Sequence, residues 1–198
     1  MKHLLANPLI YKVVQKLFGS EGFRKAFSEE YLTLNKNDYL LDLGCGTGDI
    51  LKFLPSINYT GIDSSLDYIR SGQNKFGNTA NFICSTFDEK STLQGEFDCV
   101  IAVGLIHHLD DATSKNLISN AFKVLKKGGR LVTIDNLIYK GQSKLARWII
   151  QRDRGEYIRD LRSYSSLFTP ESFDSVEFDL REDLTNMPYT HAISICLK

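Results

Sequence analysis

The sequence has no surplus of charge: 24 Lys and Arg stand against 24 Asp and Glu. Nothing global steers such a chain toward nucleic acid or an anionic membrane, so any attraction of that kind must be local. Long apolar runs are missing too. Leu4-Leu5-Ala6 stops at Asn7-Pro8, short of the apolar region of a signal peptide, and no later run approaches a membrane span. Cysteine is sparse, at Cys45, Cys84, Cys99 and Cys196, with no C-x-x-C pair, and reads as buried thiols of a reducing compartment. Repeats and low-complexity segments are absent. The expectation is a soluble cytoplasmic protein without membrane insertion, its oligomeric state left open.

The chain has 198 residues, 42% hydrophobic and 24% charged, enough for one domain with a substantial core. Its densest signal is Leu40-Leu41-Asp42-Leu43-Gly44-Cys45-Gly46-Thr47-Gly48-Asp49. An apolar run that reads as a buried parallel strand breaks into spaced glycines before Ile50, Leu51, Phe53 and Leu54 resume with helical spacing. That is strand, tight turn, helix, the place where an open α/β sheet binds its ligand. About 20 residues on, Tyr59-Thr60-Gly61-Ile62-Asp63 reads as a strand ending in an acid, placed to accept hydrogen bonds from ribose hydroxyls. The spacing G-x-G-x-G is shorter than the dinucleotide fingerprint G-x-G-x-x-G and leaves no pyrophosphate to seat.

With two further motifs, Phe97-Asp98-Cys99-Val100-Ile101-Ala102 and Leu125-Lys126-Lys127-Gly128-Gly129-Arg130-Leu131-Val132, the chain resembles the class I S-adenosylmethionine-dependent methyltransferases. The resemblance covers residues 36–135 well and the last fifty or so poorly. It implies a three-layer, Rossmann-like doubly wound sheet of about seven strands, mostly parallel with an antiparallel last strand. It also implies S-adenosylmethionine as cofactor, S-adenosylhomocysteine as its product, and a cofactor site drawn from Asp42, Gly44, Cys45, Gly46, Gly48, Asp63, Ser64 and Val103. In the family the loop after the third strand reaches the adenine; here that gives Thr86 and Phe87.

Asn7-Pro8 starts a helix striped by Leu9, Ile10, Val13, Val14, Leu17 and Phe18, which serves either as core packing or as a lid whose contact would be Tyr11. A second helix carries Phe23, Ala26, Phe27 and Tyr31, so residues 1–35 read as N-terminal helices and 36–135 as the cofactor-binding core. Ser64-Ser65 cap a helix that Gly77-Asn78 ends, and Asn81–Cys84 and Phe97–Val103 are strands. Another helix, with Leu117, Ile118, Ala121, Phe122 and Leu125, closes on Lys126-Lys127 and Gly128-Gly129, and Arg130–Ile134 forms the fifth strand.

Residues 136–170 are too long for a plain crossover and read as a substrate-cap insert. Seven basic residues (Lys140, Lys144, Arg147, Arg152, Arg154, Arg159, Arg162) face three acids (Asp153, Glu156, Asp160) there. They form either a solvated helix or a cap whose Arg152 and Arg154 grip phosphate or carboxylate. Residues 171–198 carry the last two strands; the antiparallel last strand that the resemblance implies would begin at the cofactor edge, which makes Tyr189 and His191 substrate-side candidates.

Methyl transfer requires an acceptor aligned in line with the sulfonium methyl. A hydroxyl acceptor benefits from a base, for which His107, His108, Asp135 and His191 are candidates; an amine needs only to arrive neutral. The Asp135-Asn136 pair occurs in the metal-dependent catechol type, but the acid that type needs after the fourth strand is replaced by Ala102-Val103-Gly104, so no metal is expected. The Asn/Asp-Pro-Pro-Tyr run of base-amino methylating enzymes and the Pro-Cys nucleophile of the cytosine-C5 class are also missing. These exclusions leave O- or N-methylation of a small molecule or glycan precursor, anionic if the basic cap grips it. The alternatives are an RNA or protein methyltransferase, or a non-catalytic cofactor-binding domain.

Overall fold

The computed structural model describes residues 20–87, 97–150, 155–168, 173–186 and 189–198. The expected helix over 9–18, with Tyr11, and the basic residues Arg152 and Arg154 lie outside the described residues.

The apolar runs read as buried strands are buried on both faces. β1 (Tyr39–Leu43) lies at the centre, flanked by β2 (Asn58–Asp63) and β4 (Phe97–Val103), both parallel to it. β3 (Asn81–Cys84) extends one side and β5 (Leu125–Ile138) the other. β8 (Thr190–Leu197) then runs antiparallel to β5, and β7 (Ser175–Arg181) antiparallel to β8. The order is β3-β2-β1-β4-β5-β8-β7. Because β1 leads outward to β2 on one side while β4 lies on the other, the crevice beyond the carboxyl ends of β1 and β4 is the topological switch point where such sheets take ligands. An eighth strand goes beyond the seven expected: β6, only Arg159–Asp160, pairs parallel with Leu137 and Ile138. Two polar residues carry no alternation that a sequence could reveal.

Side chains alternate across the sheet and build two cores. Leu41, Leu43, Val100 and Leu131 pack on one face with α3 (Asp111–Val124) and with Tyr164 of α5 (Leu161–Ser165). Leu40, Ile101, Val132, Ile134 and Ile193 pack on the other with Phe27 of α1 (Ser20–Phe27) and Ile69 of α2 (Leu66–Phe76). The caps fall where expected: Ser65 accepts from Tyr68 N–H at the start of α2, and Gly77, at φ +56°, closes it. A short helix, α4 (Lys144–Ile150), lies within the insert. Among the described residues no helix is long and apolar enough to cross a membrane.

One boundary differs from expectation. α3 ends at Val124, and the chain is already extended at Leu125, which pairs with Phe97 across a register shift. The lysines expected to close the helix serve the strand instead, Lys126 Nζ donating to both carboxylate oxygens of Asp98 at 2.8 Å. Within β5, Gly128 has φ +78°, and its N–H donates to Lys198 O at 2.5 Å.

Candidate functional site

The turn after β1 is built around the acid that ends β2. Asp63 Oδ2 accepts from Gly46 N–H at 2.9 Å, and its Oδ1 accepts from Ser65 N–H at 2.8 Å, so one carboxylate ties the glycine turn to the start of α2. Gly46 and Gly48 both have positive φ, +54° and +68°, but for different reasons. A Cβ at Gly48 would lie 2.6 Å from the Phe82 ring, whereas a Cβ at Gly46 would meet nothing within 4 Å. Gly48 serves packing; Gly46 keeps its main chain open to the crevice.

That crevice is lined by Asp42, Gly44, Cys45, Gly46 and Val103, all expected from sequence. Gly48, Asp63, Ser64, Thr86 and Phe87 are not part of its wall; Gly48 and Asp63 belong to the turn that forms it, whereas Phe87 packs against the core cluster of Leu41, Leu43 and Val100. Ser85 N–H donates to Asp63 O at 3.1 Å, which brings the Thr86-Phe87 loop to the same edge; Thr86 is exposed and Phe87 half-buried. Five wall residues escaped the sequence reading: Arg24, Thr47, Asp49, Ile50 and Tyr68. Arg24 comes from α1, far along the chain from the turn. The only hint was its place beside Phe23 and Phe27 on a helix with a packed face.

The crevice is electrostatically mixed. Asp42 is buried and accepts from the Tyr59 hydroxyl at 2.7 Å; burial pushes its carboxyl up to about 7. Burial would also raise Asp49, but the Lys75 ammonium and the Thr47 hydroxyl outweigh it and hold that carboxyl at about 2. Two carboxylates of different strength and one guanidinium therefore share one cleft beside an open glycine main chain. Such a donor set fits a ligand bearing a cationic centre, an ammonium and a carboxylate, which is the methionine end of S-adenosylmethionine.

Beyond Val103 the chain turns through Gly104 into a 3₁₀ turn, Ile106–His108. The backbone N–H of His107 donates to Asp135 Oδ1 at 3.0 Å, and its ring Nδ1 lies 2.7 Å from the same oxygen. Asp135 Oδ2 accepts from the Tyr164 hydroxyl at 3.2 Å. That hydroxyl also meets Thr133 Oγ1 at 2.6 Å, and Thr133 Oγ1 meets Ser194 Oγ at 2.7 Å. Asp135 and His107 are both buried. With a carboxylate at Nδ1, Nδ1 carries the proton in the neutral ring and Nε2 is the basic nitrogen.

The four candidate bases thus separate. His107 and Asp135 are joined. His108 is exposed, its ring centroid 4.1 Å from that of His107 with the two planes tilted by 40°. His191 pairs in register with Asn136, one residue past Asp135, and so projects from the opposite sheet face. Its ring lies 6.0 Å from both Phe23 and Tyr189. Among the described residues no cluster of three or more His, Cys, Asp or Glu is placed to hold a metal ion. Arg159, counted with the basic cap, is buried rather than displayed.

Residues 40–129 match the methyltransferase-domain family. A probable fatty acid methyltransferase of Pseudomonas putida is 30% identical over 105 residues, 50% of this chain and 27% of that protein, so the chain spans little more than a quarter of that relative's length. An uncharacterized methyltransferase of Anoxybacillus flavithermus is 24% identical over 175 residues, 77% of this chain and 80% of that protein. The plantazolicin methyltransferase BpumL, solved with S-adenosylhomocysteine and a triazolic desmethylPZN analog, shares the fold with a TM-score of 0.66 at 19% identity, over 98% of this chain and 93% of that one.

Proposed function

Because the chain carries a methyltransferase domain of the class I, S-adenosylmethionine-dependent family, we propose that it methylates an oxygen or nitrogen of a small molecule or glycan precursor, with His107 as general base. The observation that carries this reading is the 2.7 Å contact of His107 Nδ1 with Asp135, in the turn that follows Val103 of the crevice wall.

The bound cofactor supplies a methyl group on a positively charged sulfur. Asp63 takes the ribose hydroxyls while keeping its bonds to Gly46 and Ser65. Asp42 and Asp49 would hold the cationic groups and Arg24 the carboxylate, Val103 would hold the methionine end, and Ser64, Thr86 and Phe87 the adenosine end. His107 Nε2 would take the proton of the acceptor hydroxyl that receives the methyl group, the sulfur keeping the electron pair. Asp135 stabilises the imidazolium that results. An amine acceptor uses the same alignment and sheds its proton after transfer.

Loss of Arg159 to the interior shrinks the basic surface of the insert, which favours a small acceptor over an RNA footprint. Methyl-labelled S-adenosylmethionine incubated with cell extract, then fractionated, tests the class. Label among metabolites or glycans is expected; label in RNA or protein would overturn the acceptor class, and binding without transfer would leave a non-catalytic domain.

A further inference from the structure

We infer that Arg159 is a positioning residue that sets the spacing between His107 and Asp135, so that residues 155–160 of the insert hold the base of the acceptor site; this rests on the reading of His107 as that base.

A buried guanidinium is costly unless each donor finds an acceptor, and the bonds of Arg159 show what it is buried for. Nε donates to Asp111 Oδ1 at 2.8 Å. Nη1 donates to the carbonyls of Ile106 at 3.1 Å and Tyr157 at 3.0 Å, and Nη2 to Leu109 O at 2.7 Å and Ser114 Oγ at 3.5 Å. Ile106 and Leu109 flank His107-His108, so one planar group braces both ends of the turn that carries the base. Tyr157, whose carbonyl is the third backbone acceptor, returns its own N–H to His107 O at 3.0 Å.

The main chain of the same residue is anchored elsewhere. As part of β6, Arg159 pairs with Leu137, two residues beyond Asp135 on β5. Its backbone is thus fixed to the strand that carries the carboxylate, and its side chain to the turn that carries the imidazole. Gly155 completes the contact: a Cβ there would lie 2.3 Å from His107 Cδ2 and 3.0 Å from His107 O, so only glycine lets this segment lie against the ring edge.

A lysine offers one compact ammonium and cannot span Ile106 O, Leu109 O and Asp111 together. The test is Arg159→Lys, read by S-adenosylhomocysteine affinity, kcat and KM, and the His107 ring-nitrogen signals in long-range ¹H–¹⁵N spectra. Affinity should stay within about twofold. A misplacement of about 1 Å costs on the order of a hundredfold, so kcat should fall by about that factor. The Nδ1–H tautomer of His107 should give way to a mixture, a change that loss of stability alone does not produce. Unaltered His107 signals in a folded Arg159→Lys protein would overturn the inference. Should that variant not fold, Gly155→Ala leaves the Arg159 side chain intact and pushes on the ring from outside; it should disturb the same signals, and wild-type signals there would overturn the inference that residues 155–160 hold the base. His107→Gln retaining wild-type kcat would sink the base reading and this inference together, whereas undisturbed His107 signals sink this inference alone.

Discussion

One carboxylate oxygen of Asp135 receives both the ring Nδ1 of His107, at 2.7 Å, and the backbone N–H of the same residue, at 3.0 Å. Binding main chain and ring through one atom fixes where the residue sits and how its ring turns. Asp135→Asn can keep that oxygen in place and let its amide donate to the Tyr164 hydroxyl, which now donates to Asp135 Oδ2. What it removes is the negative charge that, in the proposed mechanism, stabilises the imidazolium. The expected result is a fall in kcat on the order of a hundredfold, with S-adenosylhomocysteine affinity unchanged by calorimetry. A kcat near wild type would remove Asp135 from the mechanism.

Asp63→Ala removes the carboxylate proposed to hold the ribose and also strands Gly46 N–H and Ser65 N–H, which now share it. Bonds to a charged group contribute about 1.5–3 kcal/mol each, so cofactor affinity should fall well beyond tenfold. Asp63→Asn keeps an acceptor for one of the two amides and should fall between. Titration with S-adenosylhomocysteine decides it: near wild-type affinity for the alanine variant refutes the ribose assignment.

The sequence carried those features whose cause is local. Leu40–Leu43, broken only by Asp42, and Cys99–Ala102 are apolar runs because both faces of their strands are covered, and Ser65 and Gly77 are caps by their own chemistry. Features whose cause is remote were not legible. Arg24 reaches the crevice only because Phe27 packs α1 against the sheet, and Arg159 is buried only because Ile106, Leu109 and Asp111 come to meet it. Likewise, four side chains could be named as bases, but only the register of β8 against β5 shows that His191 and Asp135 project from opposite faces.

Gly46 and Gly48 should fail in opposite ways when changed to alanine. Both have positive φ, a conformation that costs an L-residue about 1–2 kcal/mol. At Gly46 the added methyl meets only the crevice, so Tm should drop slightly while cofactor affinity falls sharply. At Gly48 the methyl strikes the Phe82 ring, which is packed between Tyr59 and Phe76, so about 1–3 kcal/mol of overpacking adds to the strain. Thermal unfolding and calorimetry on both variants check this. A larger stability loss at Gly46 than at Gly48 would show that the open side of the turn is misassigned.

Asp42 should link cofactor binding to protons. Burial raises its carboxyl from 3.8 in the unfolded chain to about 7, with the Tyr59 hydroxyl opposing that rise. A raised carboxyl contributes stability that is full below the unfolded value and is lost as pH rises through the folded one. Asp42→Asn, which still offers Tyr59 an acceptor, should therefore show a flatter stability profile between about pH 4 and pH 7. A cationic ligand in the crevice favours the ionised form, so binding near neutrality must release protons from this group. The binding enthalpy of S-adenosylmethionine at about pH 6.5 should then differ between phosphate and Tris, buffers of unlike ionisation enthalpy, and the difference should vanish in Asp42→Asn. By the same linkage, affinity should rise as pH increases through about 7. A buffer-independent enthalpy in the wild-type protein would mean that the cationic groups bind away from Asp42, leaving Asp49, already held at about 2, as their acid partner.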